Sequence, residues 1–380
     1  MLVLPSPTRM LVSCAVVLLV LGPASAAAQA ISLTRPVAQF AEPFSSVRGV
    51  RELPDGRVLV ADYIENRVAL VDLSRGTSVD VLTDGGGPRN VRLPMGLVAL
   101  GDSTAVLDVG NSRLVVVAPD AAVVRATVVE RPGRMGVRGL LRDGSWAYAV
   151  PAWAEGPAAL PDDSVRIVAW QPGSDRETTL FTVQGTRYRK DRSPSQEPRI
   201  PTVGFAGQDA WLVTADGGIR VVRHSPYRVE RRAPDGTWSR GPVQAAEPRP
   251  VTPADKRRFV REFAATNPIS GRGENGGMGR DALPDDRQVA RQVEITEWAV
   301  SHASFQANGV FAAPGNRLWV SRDGDPTRPA RYDVFDGEGR RVQEVTLPAG
   351  RRVVQVTSRG VYVLRENADG EQFLERYALP

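Results

Sequence analysis

Glycine-containing turns recur along this chain at intervals close to 45 residues. The turns contain Gly56, Gly101, Gly144, Gly207, Gly315 and Gly360. Three of the five gaps between them are 45, 43 and 45 residues, a length typical of one four-stranded blade of a β-propeller. The other gaps, of 63 and 108 residues, predict additional sequence around the third and fourth blades.

Two segments of the chain align with each other, residues 53–72 and 100–117. In each, a β-rich run ends in Asp, a short loop contains Asn, and an Arg follows five residues after the Asp. The pairs are Asp62 with Arg67 and Asp108 with Arg113. Because the pairs occupy equivalent positions, we interpret them as structural ties, with the Asp bonding loop amides and the Arg pairing with a carboxylate between blades.

Helical periodicity is almost absent, so the pattern predicts an all-β chain, a six-bladed β-propeller over residues 31–380. The predicted blades are 46–85, 93–130, 137–184, 203–245, 304–348 and 351–380. The sixth is one strand short. We expect the segment from Ile31 to Phe40 to supply that strand, so that an N-terminal strand closes the ring and no sheet edge stays open.

One helical and flexible insert is predicted between blades four and five, at about 246–303. Thr252 and Pro253 resemble a helix start, with Asp255 three residues after Thr252, and predict a helix over about 253–265. The insert leaves the propeller at a connection between blades. We therefore expect it to lie on the loop face and to cover the mouth of the channel.

The N-terminus, residues 1–30, has the features of a secretory signal peptide. Arg9 precedes an apolar run, Leu11–Leu21, that is too short to span a bilayer. Cleavage is expected after Ala30, or alternatively after Ala26, and a retained anchor is the competing interpretation. The only cysteine, Cys14, lies in this leader. We therefore expect a secreted or periplasmic protein without thiol chemistry and without stable membrane insertion.

The formal net charge of +5 is small, and with the signal peptide it argues against nucleic-acid binding. A local excess occurs at residues 184–261, with 16 Arg or Lys against 8 Asp or Glu. It indicates either a solvated face whose arginines pair elsewhere or a surface that attracts anionic glycans, phosphates or lipid head groups. His224 and His302, the two histidines, do not make a zinc site by their spacing.

The run Val58–Val68 resembles the NHL-type propeller repeat, in which a strand ends in Ala-Asp and a loop leads to Asn-Arg. The chain is most similar to secreted bacterial six-bladed propellers, most of which lack an assigned activity. In those proteins the first blade is followed by Gly-x-Gly-Pro-x-Glu-Phe. Here residues 85–91 keep the Gly-Pro core without the Glu-Phe pair.

In propellers the loops between strands two and three, and between blades, converge on the channel, and sites usually lie on that face. We predict a binding or scaffolding module, monomeric, whose partner is a protein, peptide or glycan of the cell envelope, with no cofactor. The candidate ligand-binding residues are Trp153, Tyr63, Glu65, Arg322, Asp323, Arg365 and Glu366.

The alternative is a calcium-dependent hydrolase or lyase, because six-bladed lactonases look similar in architecture and hold calcium in the channel through carboxylate and Asn oxygens. Calcium takes six to eight oxygen ligands. Under that alternative the metal ligands would be Glu52, Asp62, Asp108 and Asn111.

Overall fold

The structure is a computed structural model. It describes residues 29–129, 136–151, 163–171, 173–174, 176–188, 200, 202–245, 249–266, 284–322, 325 and 327–380. Within these residues the strands form six sheets. The expected position of the signal peptide therefore lies almost entirely outside the described residues.

Each sheet is one blade, and its strands follow one another outward from the axis. Two strands precede the first blade, β1 (Gln29–Ser32) and β2 (Ala38–Gln39). Blade one contains β3 (Val47–Glu52), β4 (Val58–Asp62), β5 (Arg67–Asp72), β6 (Thr77–Asp84) and β7 (Asn90–Val91). Blade two contains β8 (Pro94–Leu100), β9 (Ser103–Asp108), β10 (Arg113–Val117) and β11 (Val123–Val128). Blade three contains β12 (Gly139–Leu140), β13 (Trp146–Pro151), β14 (Ser164–Trp170) and β15 (Glu177–Gln184).

The remaining blades have the same plan. Blade four contains β16 (Ala210–Val213), β17 (Ile219–His224), β18 (Tyr227–Arg232) and β19 (Trp238–Arg240). Blade five contains β20 (Val310–Ala313), β21 (Arg317–Ser321), β22 (Ala330–Phe335) and β23 (Arg341–Leu347). Blade six contains β24 (Arg351–Thr357), β25 (Gly360–Glu366) and β26 (Gln372–Tyr377). The first strands of successive blades lie side by side, and β24 returns to lie beside β3. The six-bladed propeller predicted from the repeat is confirmed.

The N-terminal segment closes the ring, and it does so in two places. Ala38–Gln39 pairs antiparallel with β26 as the outer strand of blade six, and the Phe40 amide donates to the Leu374 carbonyl at 2.9 Å. Gln29–Ser32 instead runs parallel to β23 of blade five. The predicted closing strand is therefore shorter than expected, and its first part extends a different blade.

The turn glycines are placed as predicted in five of the six blades. Gly56, Gly101, Gly144, Gly315 and Gly360 have positive φ angles, the region that glycine enters without steric cost. The assignment of Gly207 is wrong. It precedes β16, and the turn between β16 and β17 instead contains Gly217, with φ of 77°.

The core lies between neighbouring blades, where residues of facing sheets pack together. Trp146 and Trp170 are 5% and 4% exposed and pack in the cluster between blades two and three. Trp211 lies between blades three and four, and Trp319 between blades five and six. These four tryptophans therefore fill the spaces between neighbouring blades.

The insert contains two helices in its described part, α1 (Pro253–Thr266) and α2 (Asp286–Ile295). The first confirms the predicted helix, and the Thr252 hydroxyl accepts a hydrogen bond from the Asp255 amide at 3.2 Å. The second helix was not predicted, although Asp285 and Gln288 form a capping box at its start. No helix in the described part of the chain is long and apolar enough to cross a membrane.

Strand register defines the two faces of the propeller. In blade one Val47 pairs with Asp62 at one end, and Glu52 pairs with Val58 at the other. We call the end with Asp62 the loop face, because the connections between strands two and three and between blades lie there. The end with Glu52 carries the tight turns.

Candidate functional site

Two predicted ligand-binding residues of blade one lie on the loop face. The Tyr63 ring is half-buried. The central carbon of the Arg48 guanidinium lies over this ring, 5.3 Å from the ring centroid. Glu65 is exposed and accepts a hydrogen bond from the Ser45 hydroxyl at 2.6 Å. Tyr63 therefore contacts a charged neighbour at the start of the innermost strand, whereas Glu65 supports a nearby loop.

The predicted residues of blades five and six take part mainly in ion pairs. Arg322 lies 3.4 Å from Asp333 and 3.4 Å from Glu344, and Arg365 lies 3.1 Å from Glu375. Glu366 is exposed and accepts a hydrogen bond from Gln372. The two arginines thus pair with carboxylates of their own blades, while Glu366 remains open to solvent. Trp153 and Asp323 lie outside the described residues.

The repeated carboxylates serve as ties within the fold. Asp62 is fully buried and accepts hydrogen bonds from the Ser45 and Ser46 amides, each at 2.9 Å. Arg67 lies 3.6 Å from Asp80 in the same blade. The predicted bonding to loop amides is confirmed, but the arginine pairs within its blade rather than between blades.

Asp108 shows the same arrangement in blade two. Its carboxylate accepts hydrogen bonds from the Arg92 amide at 2.8 Å and from the Asn111 side chain at 2.9 Å, and it pairs with Arg113 at 2.6 Å. The Arg113 guanidinium also donates to the Gly87 carbonyl at 2.8 Å. Arg113 therefore links blade two to the Gly-Pro loop that follows blade one.

The four residues predicted as calcium ligands do not come together. Glu52 lies at the end of blade one opposite to Asp62, and it pairs with Arg359 at 3.1 Å. The oxygens of Asp62 and Asp108 are occupied by donors of the surrounding loops. Among the described residues no group of three or more His, Cys, Asp or Glu is arranged to hold a metal ion, so these residues do not fit a calcium ion.

A different set of charges lies where the innermost strands begin. Arg48 is the second residue of β3 and falls in a register shift between Val47 and Gly49. Such a bulge re-aims the side chain of the extra residue away from the regular sheet face. Arg48 is exposed, so its guanidinium faces solvent at the loop-face mouth of the channel.

Arg352 occupies the corresponding place in blade six, as the second residue of β24. Arg138, which directly precedes β12 of blade three, lies nearer to the tight-turn end, because its amide donates to the Ala147 carbonyl close to the start of β13. Both side chains are exposed, yet desolvation by the surrounding protein lowers the pKa of Arg138 and of Arg352. We call Arg48 and Arg352, which lie at the start of adjacent inner strands, the mouth arginines.

Neither of the mouth arginines has a carboxylate ion pair within the described part of the chain. Arg352 donates to the Val47 carbonyl at 3.3 Å. It also interacts electrostatically with Glu366 and with Arg48. Sequence reasoning missed this pair, because no local feature of the sequence marks either residue.

The insert lies over part of the same face. Arg258 of α1 pairs with Asp325, in the loop between β21 and β22, at 2.9 Å. Burial raises the pKa of Glu262, a shift that Arg258 opposes and that Asp325 and Glu366 reinforce. Helix α1 therefore lies near the loops of blades five and six. Full coverage of the channel mouth stays a prediction.

A histidine anchors the base of the insert. His302 lies 3.1 Å from Asp255 through Nε2 and 3.1 Å from Arg249 through Nδ1. Because a guanidinium only donates and a carboxylate only accepts, these contacts fit a neutral ring with the proton on Nε2. The ring also contacts Phe205, with centroids 4.3 Å apart.

A polar cleft of about 430 Å³ lies on the loop face between blades three and four. Its charged wall contains Asp209, Arg223, Arg228 and Glu230. Burial alone would raise the pKa of Asp209, but hydrogen bonds from the His224 and Arg223 side chains and from two amides lower it to about 2. Arg223 bridges Asp209 at 2.8 Å and Glu230 at 2.9 Å, so these charges neutralise one another.

No protein-family model and no curated protein sequence matches this chain. Solved structures of similar architecture include regucalcin, a calcium-binding protein of Agrobacterium tumefaciens (TM-score 0.42, 11% identity, covering 92% of this chain and 96% of that one). A Bacteroides fragilis protein assigned as exported has a TM-score of 0.48 and 10% identity, covering 93% and 100%. Virginiamycin B lyase of Staphylococcus aureus has a TM-score of 0.38 and 9% identity, covering 91% and 88%. We draw no functional conclusion from these similarities, and the six-bladed architecture rests on the strand pairing of this chain.

Proposed function

We propose that this protein is a secreted, non-catalytic binding propeller whose ligand binds at the loop-face mouth of the channel. The observation that carries the proposal is the pair of mouth arginines, which are exposed at the loop-face ends of two adjacent inner strands and have no carboxylate ion pair among the described residues. The partner class remains a protein, peptide or glycan of the cell envelope, bound by a monomer.

The contrast with the rest of the molecule supports this proposal. Asp108, Asp333 and Glu375 are almost fully buried, and each is paired with arginine. Such pairing offsets the desolvation of charge. The two mouth arginines carry like charges at the start of adjacent inner strands without such a pairing in the described part of the chain, and departures from local charge balance are expected at functional sites.

The proposal is tested by blocking the mouth without changing its charge. Met95, 45% exposed, lies in the register shift at the start of β8, so Met95→Trp would narrow the channel there. Val79 is 67% exposed on an outer strand of blade one, and Val79→Trp is the matched control.

The measurement is a thermal-unfolding screen of sugars, peptides, nucleotides and organic acids against the chain from Ala27 onward, the longer of the two expected mature forms. A ligand at 100 times its dissociation constant adds about 2.7 kcal/mol of stability. We expect a hit whose binding Met95→Trp removes and Val79→Trp keeps. Binding that survives Met95→Trp places the ligand elsewhere and refutes the proposal.

The calcium-dependent hydrolase remains the alternative, and the same assay separates it from the binding module. Unfolding is measured in EDTA and then with added calcium. The binding proposal expects the same unfolding temperature in both. A calcium-dependent increase that EDTA removes would favour the hydrolase and would justify a screen of lactones and esters.

A further inference from the structure

We infer that a second binding site lies at the other end of the propeller, in a cavity between blades three and four that fits a small organic anion with an apolar body. The cavity has a volume of about 700 Å³, within the range of about 300–1,000 Å³ that is usual for small-molecule sites. It lies among the tight turns, away from the loop-face mouth of the channel. The inference therefore goes beyond the proposed function and does not rest on it.

Residues of tight turns from both blades line the cavity. The turn after β12 contributes Arg142, and the turn after β16 contributes Gly217. A Cβ atom on Gly217 would lie 2.5 Å from the Arg142 amide nitrogen, so glycine, with φ of 77°, allows the two turns to meet. The turns after β14 and β18, farther from the axis, contribute Gln171 and Pro234. The contact between the turns therefore fixes where the Arg142 backbone lies in the cavity wall.

The floor of the cavity is apolar. Leu141, Ala169 and Leu180 line the cavity and belong to the hydrophobic cluster that packs between blades three and four. Leu141 and Ala169 are buried, and Leu180 is half-buried. An apolar group bound against these side chains would leave water, and that transfer favours binding.

The rim of the cavity is charged, with more arginine than carboxylate. Arg142, Arg176 and Arg232 line the cavity together with Asp143 and Glu177. Within the described part of the chain, the guanidinium groups of these three arginines form no ion pair. The rim therefore carries one positive charge in excess, which one anionic group on a ligand would balance.

The floor and the rim together define the class of ligand. A guanidinium presents five N–H donors and no acceptor, and its planar fork matches the two oxygens of a carboxylate. A purely polar ligand would leave the apolar floor unused, and a neutral apolar ligand would leave the arginines without a counter-charge. A carboxylate attached to an aliphatic or aromatic body complements both surfaces.

The test is titration of the chain from Ala27 onward with octanoate and with benzoate, followed by saturation-transfer NMR. Acetate supplies the charge without the apolar body, and benzamide supplies the body of benzoate without the charge. We expect octanoate or benzoate to bind at least about tenfold more tightly than acetate and benzamide, or about 1.4 kcal/mol. The inference is overturned if neither octanoate nor benzoate binds at about 10 mM, or if acetate or benzamide binds equally well.

Substitutions of the rim test the role of the arginines. Arg142→Gln and Arg232→Gln are each expected to weaken binding about tenfold. Arg125, an exposed arginine on the outer strand of blade two, provides the matched control, and Arg125→Gln should leave the affinity unchanged. Equal weakening by Arg125→Gln would assign the binding to overall charge and would contradict a built site.

A second pair of variants tests the cavity without a change of charge. Thr178 is exposed on the outer strand of blade three and lines the cavity, so Thr178→Trp should fill part of it and weaken binding at least about tenfold. Thr77 is exposed on an outer strand of blade one, and Thr77→Trp is the matched control. Binding that Thr178→Trp leaves unchanged refutes the inference, and this variant decides the question if an arginine variant fails to fold.

Met95→Trp separates this site from the channel mouth. Met95 lies at the start of β8, at the loop-face end of blade two, so its substitution should leave the binding of octanoate and benzoate unchanged. Loss of binding in Met95→Trp would place these ligands at the mouth and overturn the inference. Loss in Thr178→Trp alone supports the second site, whatever the outcome for the proposed function.

Discussion

Substitution of Asp108 tests directly whether the repeated carboxylates are structural. The carboxylate is fully buried and receives donors from the Arg92 amide, the Asn111 side chain and the Arg113 guanidinium, with the Arg113 contact at 2.6 Å. In Asp108→Asn, a side-chain NH2 group would face at least one of these donors, and Arg113, 12% exposed, would lose its counter-charge.

The size of the effect follows from that geometry. Breaking a buried ion pair by removing one partner costs about 3–5 kcal/mol. For a folded chain of about 350 residues, with an unfolding entropy of about 2.1 cal/mol/K per residue, the expected fall in Tm is about 4–7 °C. The fall should be the same in EDTA and in calcium, because the proposed role of Asp108 involves no metal.

The assay is thermal unfolding followed by circular dichroism, with Asp120→Asn as the control. Asp120 lies in an exposed turn and, within the described part of the chain, accepts only the Ala122 amide, at 3.0 Å, so its replacement should change stability by less than about 0.5 kcal/mol. A fall in Tm below about 1 °C for Asp108→Asn would refute the structural interpretation. A fall seen only in calcium would do so as well, and would support the metal-dependent alternative.

Three further predictions concern closure, acid stability and the insert. A chain that begins at Ser45 lacks the closing strand and two buried phenylalanines, and should unfold at a clearly lower temperature than one that begins at Arg35; equal unfolding temperatures would contradict closure. Because the pKa of Asp209 falls from 3.8 to about 2 on folding, the Asp209 carboxylate adds to the free energy of unfolding above pH 3.8, and this contribution is lost towards pH 2. The free energy of unfolding of Asp209→Asn in urea should lack that part of the pH dependence, and an unchanged pH dependence would contradict it. Arg258→Ala removes the 2.9 Å contact to the loop of blade five and should speed amide exchange in residues 253–266, and unchanged exchange would show that other contacts hold the helix.

The number of blades was predictable because a blade is a local unit with a regular length. Tight turns such as that of Gly56 must adopt positive φ, so glycine marks them in the sequence. The same reasoning failed at Gly207, since glycine also allows close approach of the backbone. A Cβ atom there would lie 2.4 Å from His224, and that contact depends on tertiary packing.

The candidate site was less predictable, because a propeller site is assembled from positions that are far apart in sequence. Arg322 and Arg365 look like loop-face residues in the sequence, but their carboxylate partners lie on neighbouring strands. Only the pairing of strands identifies those partners. Conversely, nothing local in the sequence distinguishes Arg352 from the adjacent Arg351, which pairs with Glu375.

The repeat also distinguishes the residues that each blade needs for its structure from the residues that can differ between blades. Asp62 and Asp108, at the ends of second strands, hold loops by hydrogen bonds to backbone amides, and loss of either carboxylate would leave buried donors unpaired. The second residue of an inner strand does not hold a loop in this way. A register shift places Arg48 outside the regular strand pairing, and Met95 occupies the equivalent position in blade two. Ligand chemistry can therefore change at these inner positions without loss of the propeller, which is why we expect substitutions of the mouth arginines to change affinity and substitutions of Asp108 to change stability.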